Sequence, residues 1–142
     1  MPDVSRFFTT YAKHAFNGTA DLDGGAVVAI LLDNTYTFDQ DGDEFIADLS
    51  GELTDPSYDR VTLSGVSFSV DGATNKVKFT SDAIVFPDLD DTFRHLVIAV
   101  STGSDATSPL IKCTTYDADK TAAAADVTIT PHANGLGDAT AA

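Results

Sequence analysis

The sequence predicts a mainly β domain, an antiparallel β-sandwich or barrel-like fold with one N-terminal helix. Three observations lead there. Short runs rich in β-branched residues alternate apolar with polar, turn residues separate them at nearly even spacing, and a helical apolar period appears clearly only near the start. No strand–helix–strand rhythm accompanies them, as a parallel sheet would require. At 142 residues the chain has the length of one domain, read here as 1–131 with an arm or flexible tail over 132–142.

Segment 5–16 places Phe7, Phe8, Tyr11, Ala12, Ala15 and Phe16 at helical spacing, with Asp3 or Ser5 as cap and Asn17-Gly18 as stop. A short helix with that many aromatics must cover something. It packs on the domain's own core, or Phe7, Phe8, Tyr11 and Phe16 form an arm contacting a partner. Ala26–Leu32 is seven apolar residues between Gly25 and Asp33-Asn34, the pattern of a strand buried on both faces. Segment 43–53 carries Phe45, Ile46, Leu49 and Leu53 at helical spacing and reads as a short helix or turn that Gly51 interrupts.

From Val61 the period becomes two. Val61 to Val70 alternates as one strand, Asp71-Gly72-Ala73-Thr74-Asn75 is a hairpin loop, and Lys76 to Thr80 alternates again. Further strands follow at Ile84-Val85-Phe86, ended by Pro87-Asp88, at 93–100, and at 110–116. A polar and then alanine-rich stretch, 117–125, precedes a last strand at Val127-Thr128-Ile129, closed by Pro131.

Charge excludes several functions. Eight Lys plus Arg face 22 acids, a net charge of −14, and only Glu44 and Glu52 among the acids are Glu. Nucleic-acid binding needs Lys and Arg to displace counterions from phosphates, and anionic membranes repel the same charge, so neither is an expected partner. The start, Met1 to Arg6, shows no secretion signal and the longest apolar run is far short of a membrane span, which predicts a soluble protein made in a host cytoplasm. A lone Cys113 offers no internal disulfide.

Catalytic motifs are lacking: there is no Gly-x-Ser-x-Gly, no phosphate-binding loop and no dinucleotide fingerprint, and a non-enzymatic protein is expected. His14, His95 and His132 have no Cys or second His at ligand spacing. The one site-like pattern is acidic. Asp39, Asp41 and Asp43 alternate around Gly42, but counting from Asp39 the sixth residue is Glu44 and the twelfth Ser50, where a calcium loop needs Gly and Glu. A solvated loop is the reading and an irregular calcium or sodium site the alternative. Asp88, Asp90 and Asp91 form a second such cluster.

Several diffuse features together carry a resemblance. They are the aromatic N-terminal segment, Asp21-Leu22-Asp23 before the buried run, Tyr36, and Asp48-Leu49-Ser50-Gly51-Glu52. Lys76-Val77-Lys78-Phe79 and Asp82-Ala83-Ile84-Val85-Phe86 follow. Further on come His95-Leu96-Val97-Ile98, Ser108-Pro109-Leu110-Ile111, Val127-Thr128-Ile129-Thr130 and Asn134-Gly135-Leu136. On these the chain resembles a family of small structural proteins of tailed-phage virions. The resemblance implies a capsid decoration protein or minor virion component with no catalytic residues. It departs where similar proteins finish with an apolar strand after Asn-Gly; here Pro131 and Gly137-Asp138-Ala139-Thr140 predict a shortened strand or an arm. The expectation is a decoration (cement) protein on the outer surface of the virion, a small homo-oligomer bound to the major capsid protein or other virion proteins. The acidic surface fits that position, because a packaged genome would repel it. A tail or neck component of the same virion is the alternative. An adhesive or carbohydrate-binding β-sandwich is a third reading, weakened by the absence of Trp.

Overall fold

Seven apolar residues in a row cannot alternate between core and solvent, so the strand they form must be covered on both sides. In the computed structural model, which describes residues 3–131 and the backbone of Gly137–Thr140, this strand is β2, Ala26–Leu32, buried from Val27 onward. It lies inside a five-stranded antiparallel sheet with β1 (Val4–Phe7), β3 (Val61–Thr62), β6 (Ile84–Ser101) and β7 (Leu110–Ile129), in the order β1-β7-β6-β2-β3. A second sheet holds β4 (Ser67–Asp71), β5 (Lys76–Thr80) and β8 (Gly137–Thr140), in the order β4-β5-β8. The architecture is sandwich-like and mainly β, and neither sheet closes into a barrel.

Alternation divides the apolar residues of the large sheet between two cores. Val27, Ala29 and Leu31 join Phe86, Leu89, Phe93, Leu96, Ile98 and Ile111 on the face that meets Phe79 of the second sheet. Val28, Ile30 and Leu32 join Val97, Ala99, Leu110 and Cys113 on the other face, beneath Phe8, Tyr36 and Ile46. The loop 33–53 supplies most of that cover.

Several expected boundaries shift, each for a physical reason. The helix α1 spans Thr9–Asn17, and the residues before it form β1, paired with β7 from Val4↔Thr115 to Phe7↔Lys112. Pairing satisfies backbone groups that an isolated first helical turn leaves open. The expected caps are used elsewhere: Ser5 Oγ bonds Thr114 Oγ1 at 2.6 Å, and Asp3 accepts the Asp117 N–H at 2.9 Å. Gly18, at φ 80°, ends the helix as expected. Segment 43–53 holds only a 3-10 turn at Ile46–Asp48, because Phe45 bridges Pro109 and Glu52 bridges Leu32 in extended conformation.

The run from Val61 is two strands in different sheets, with Gly65 at φ 62° where the chain turns from one to the other. The opposite happens downstream. Ile84-Val85-Phe86 and 93–100 belong to one strand, β6, and 110–116 and 127–129 to one strand, β7. Irregular registers between Phe86 and Leu89 and between Leu89 and Asp91 absorb Pro87 and the positive φ of Asp88 (49°) and Ala124 (49°). Long-range pairing overrides the weak strand preference of Ala122 to Ala125. Within the segment read as an arm, Gly137–Thr140 pairs antiparallel with β5. Residues 132–136 and 141–142, with His132, lie outside the described residues.

Candidate interaction surface

The acidic loop is tied to protein donors one carboxylate at a time. Asp39 Oδ1 accepts the Gly42 N–H at 2.9 Å, Thr9 donates to Asp41 at 2.6 Å, and Tyr36 Oη donates to Asp43 Oδ2 at 2.6 Å. Glu44 Oε1 takes Lys13 Nζ at 2.6 Å and faces His14 Nε2 at 2.8 Å, and the Lys13 hydrogen bond foremost holds this carboxyl below its usual range. Asp39, Asp41 and Asp43 therefore turn to separate donors. Among the described residues no three His, Cys, Asp or Glu side chains are grouped so as to hold a metal ion. In the second cluster the bonds are different: the backbone N–H groups of Asp88 and Asp90 donate to Asp126 Oδ1 at 3.0 Å and to Ser57 Oγ at 2.9 Å, and the Asp91 carboxylate accepts the Thr92 N–H at 2.7 Å.

The histidines and the cysteine are built into the fold. His14 is 4% exposed, its ring beside Phe45 at 5.3 Å between centroids, and its Nδ1 has no hydrogen-bond partner. His95 Nδ1 lies 2.9 Å from Thr115 Oγ1 and its ring meets Tyr36 edge-on at 5.2 Å. Burial pushes its pKa below the ordinary histidine value. Burial also pushes the Cys113 thiol up to about 12, the direction of an unreactive sulfur. A cavity of about 260 Å³ lies beside it, lined by Val4, Arg6, Phe38, Cys113 and Thr115.

One polar network holds loops together that the sequence did not connect. Arg60 forks onto Glu52 at 2.7 Å through both Nε and Nη2, and onto Asp105 at 2.7 and 2.9 Å. Tyr58 Oη donates to Glu52 at 2.9 Å and accepts the Leu31 N–H at 3.2 Å. Two bidentate pairs on one guanidinium tie the 52–60 segment to the 101–108 loop.

Among the described residues, three of the six large exposed apolar side chains, Phe68, Val70 and Val77, gather on one hairpin. In the β4–β5 hairpin Phe68 is opposite Phe79 and Val70 opposite Val77, so all four share a face. The root of that face is buried: Phe79 belongs to the core, and its ring meets Phe68 at 6.2 Å. Toward the loop the face overhangs the core, leaving Phe68 42%, Val77 43% and Val70 79% exposed. A groove of about 440 Å³ runs beside it, lined by Ala15, Gly18, Ala20, Leu22 and Phe68, with Asp21 and Asp23 among its walls.

The aromatic residues of the N-terminal segment separate accordingly. Phe8, 1% exposed, is a core residue under the loop 33–53, with Phe38 edge-on at 5.1 Å. Phe7 and Tyr11 stack at 5.5 Å and pack, partly buried, against the other core. Phe16 is 93% exposed and stands between Ala15 and Gly18 of the groove. Sequence reasoning singled out Phe16 but missed Phe68, Val70 and Val77, because an alternating strand does not reveal that its apolar face extends past the core. The signal present was a hairpin with large apolar residues right up to its loop. Comparison with known proteins finds no matching family model, no matching curated protein and no matching solved structure.

Proposed function

We propose that this chain is a structural component of a tailed-virus particle, a decoration protein on the outside of the shell that docks through apolar contacts. The observation that carries the reading is the exposed corner of Phe16, Phe68, Val70 and Val77 on a protein of net charge −14. Exposed apolar side chains clustered on a charged surface mark interaction sites. The acidic remainder suits a place away from packaged nucleic acid and keeps the free protein soluble. Described carboxylates such as Asp39, Asp41 and Asp43 bind protein donors, a use that fits a scaffold role. The resemblance to small virion proteins supplies the particle, and the corner supplies the means of attachment.

Copy number tests it. Densitometry of purified particles carrying the protein should give hundreds of copies, comparable to the shell subunits. Tens or fewer would move it to the tail or neck, and absence from washed particles would end the virion reading.

A further inference from the structure

The cavity of about 260 Å³ beside Cys113 joins an apolar wall to an unused cation. Val4 lies opposite Thr115 and Arg6 opposite Cys113 in the β1–β7 pair, so these four side chains stand together on one face of the large sheet. Phe38, half-buried in the loop 33–53, completes the lining. Val4, Phe38 and Cys113 form the apolar part. The Thr115 hydroxyl lies 2.9 Å from His95 Nδ1 and is engaged there. Arg6 differs from the other two arginines. Arg60 and Arg94 pair with carboxylates, whereas the Arg6 guanidinium makes no hydrogen bond or ion pair with any described residue, on a chain that holds 22 acids. We propose that this cavity binds a small organic monocarboxylate, with the carboxylate on the Arg6 guanidinium and the apolar body against Val4, Phe38 and Cys113.

Three features select that class of ligand. A guanidinium offers a fork of N–H donors that matches the two oxygens of a carboxylate or the oxygens of a phosphate. Net charge separates these two: every negative charge on a guest meets a chain of −14, so a singly charged guest is repelled least, and phosphate esters and nucleotides are disfavoured. An exposed arginine–carboxylate pair contributes little by itself, so the guest must also bury apolar surface, and the wall beside Arg6 provides it. The cavity is smaller than the roughly 300 Å³ at which pockets for drug-sized ligands begin, which suits one ring or one branched chain. A free organic acid has this chemistry, and so has the C-terminus of a peptide that ends in an apolar residue. Cys113 belongs to the core under the loop 33–53, whereas Phe79 of the hairpin belongs to the other core, so the cavity and the hairpin corner are separate places. Failure of either leaves the other standing.

Amide NMR titration of the full chain with benzoate, its neutral counterpart benzamide, inorganic phosphate and N-acetyl-glycyl-phenylalanine tests the site. Benzoate should move the signals of Val4, Arg6, Phe38, Cys113 and Thr115 together and saturate at about 1 mM or below, while benzamide and phosphate should bind at least about tenfold more weakly. If the peptide acid binds about tenfold more tightly than benzoate, the natural guest is a chain terminus; equal or weaker peptide binding assigns a free acid. Arg6→Gln removes a guanidinium with no described partner, so it should keep the wild-type melting temperature and weaken benzoate at least about tenfold. Val4→Glu, at a position 39% exposed, puts a carboxylate on the same face as Arg6 and should block binding in the same way. No shift at about 10 mM benzoate overturns the proposal, as does binding indifferent to Arg6→Gln. Benzamide binding as well as benzoate would mean an apolar hollow without an anion site, and phosphate binding as well as benzoate would mean an adventitious ion only; either result also overturns it.

Discussion

Replacing Phe8 by alanine removes a ring that is 1% exposed and packed edge-on against Phe38 within the core of Val28, Ile30, Leu32 and Tyr36. The Phe8 N–H bonds the Ile111 carbonyl at 3.0 Å, so the backbone is pinned and cannot collapse into the space left behind. A phenylalanine truncated to alanine in such a site costs about 3–5 kcal/mol. For a domain of this length that is a fall of about 10–15 °C in melting temperature. Phe16→Ala provides the internal control. At 93% exposure its ring has almost no packing to lose, and the change should stay within about 0.5 kcal/mol. Urea denaturation of the two variants and the parent, with the slope of each transition compared, measures both quantities. A Phe8→Ala loss below about 1 kcal/mol, or a Phe16→Ala loss equal to it, would refute the division of this aromatic segment into a core anchor and a free surface ring.

Four further outcomes follow from the same structure. Arg60→Ala leaves Glu52 and Asp105 without their shared guanidinium; with these groups partly solvent-exposed the loss should be about 1–2 kcal/mol, and a double-mutant cycle with Asp105→Ala should show coupling. Gly65→Ala should destabilise by about 1–2 kcal/mol in chemical melts, because φ is +62° and a Cβ would stand 2.6 Å from the Asp82 carboxylate. Alkali should unfold the protein: burial raises Cys113 and Tyr116 each to about 12 and raises Tyr36 and Tyr58 further, so the unfolded chain loses protons first. That stability is complete below the ordinary thiol and phenol range and is lost as pH climbs from about 9 toward 12, which melts at successive pH values would show. Finally, Lys13, Arg60, Arg94 and Lys120 are already paired with acids, leaving a large acidic excess to repel itself. Raising salt from about 0.15 M to about 1 M should raise the melting temperature, and a flat or falling response would contradict net repulsion.

The sequence revealed most where one periodicity had one structural meaning. Ala26–Leu32 could only be a strand covered on both faces, and the odd–even division of its side chains between two cores follows from the pleat. The turn at Asp71-Gly72-Ala73-Thr74-Asn75 was equally legible, since Asp71 can accept N–H groups from its own loop, as it does from Ala73 at 3.0 Å. Legibility failed where long-range pairing decided the outcome. Phe7 and Phe8 sit at helical spacing with Tyr11 and Ala12, but β1 is paid for by the edge of β7, more than 100 residues away, information that no local window contains. Pro87 and the alanine run read as breaks for the same reason. At the candidate surface the aromatic at Phe16 was visible in advance, while the overhang of Val70 and Val77 depends on where the core of the other sheet ends.

The two-sheet arrangement leaves two places where another chain could attach, and the residues at each point in opposite directions. Beyond the short cover of β1, the outer edge of β7 from about Asp117 to Ile129 pairs with no described strand. An open edge of that length invites a strand from another molecule. It is also interrupted by Ala124 at φ 49° and carries Asp117, Asp119 and Asp126, the bulge and charges by which sheet proteins keep edges from pairing. Its pairing groups are available but its shape and charge oppose approach. The hairpin corner differs in its side chains: β4 is also an outer strand, but the face it shares with β5 presents Phe68, Val70 and Val77, with no charge among them. Association through side-chain packing at the corner is therefore favoured over main-chain addition at the edge, and a partner that binds this protein should be lost with Val70→Asp and unaffected by an added charge at Ala123.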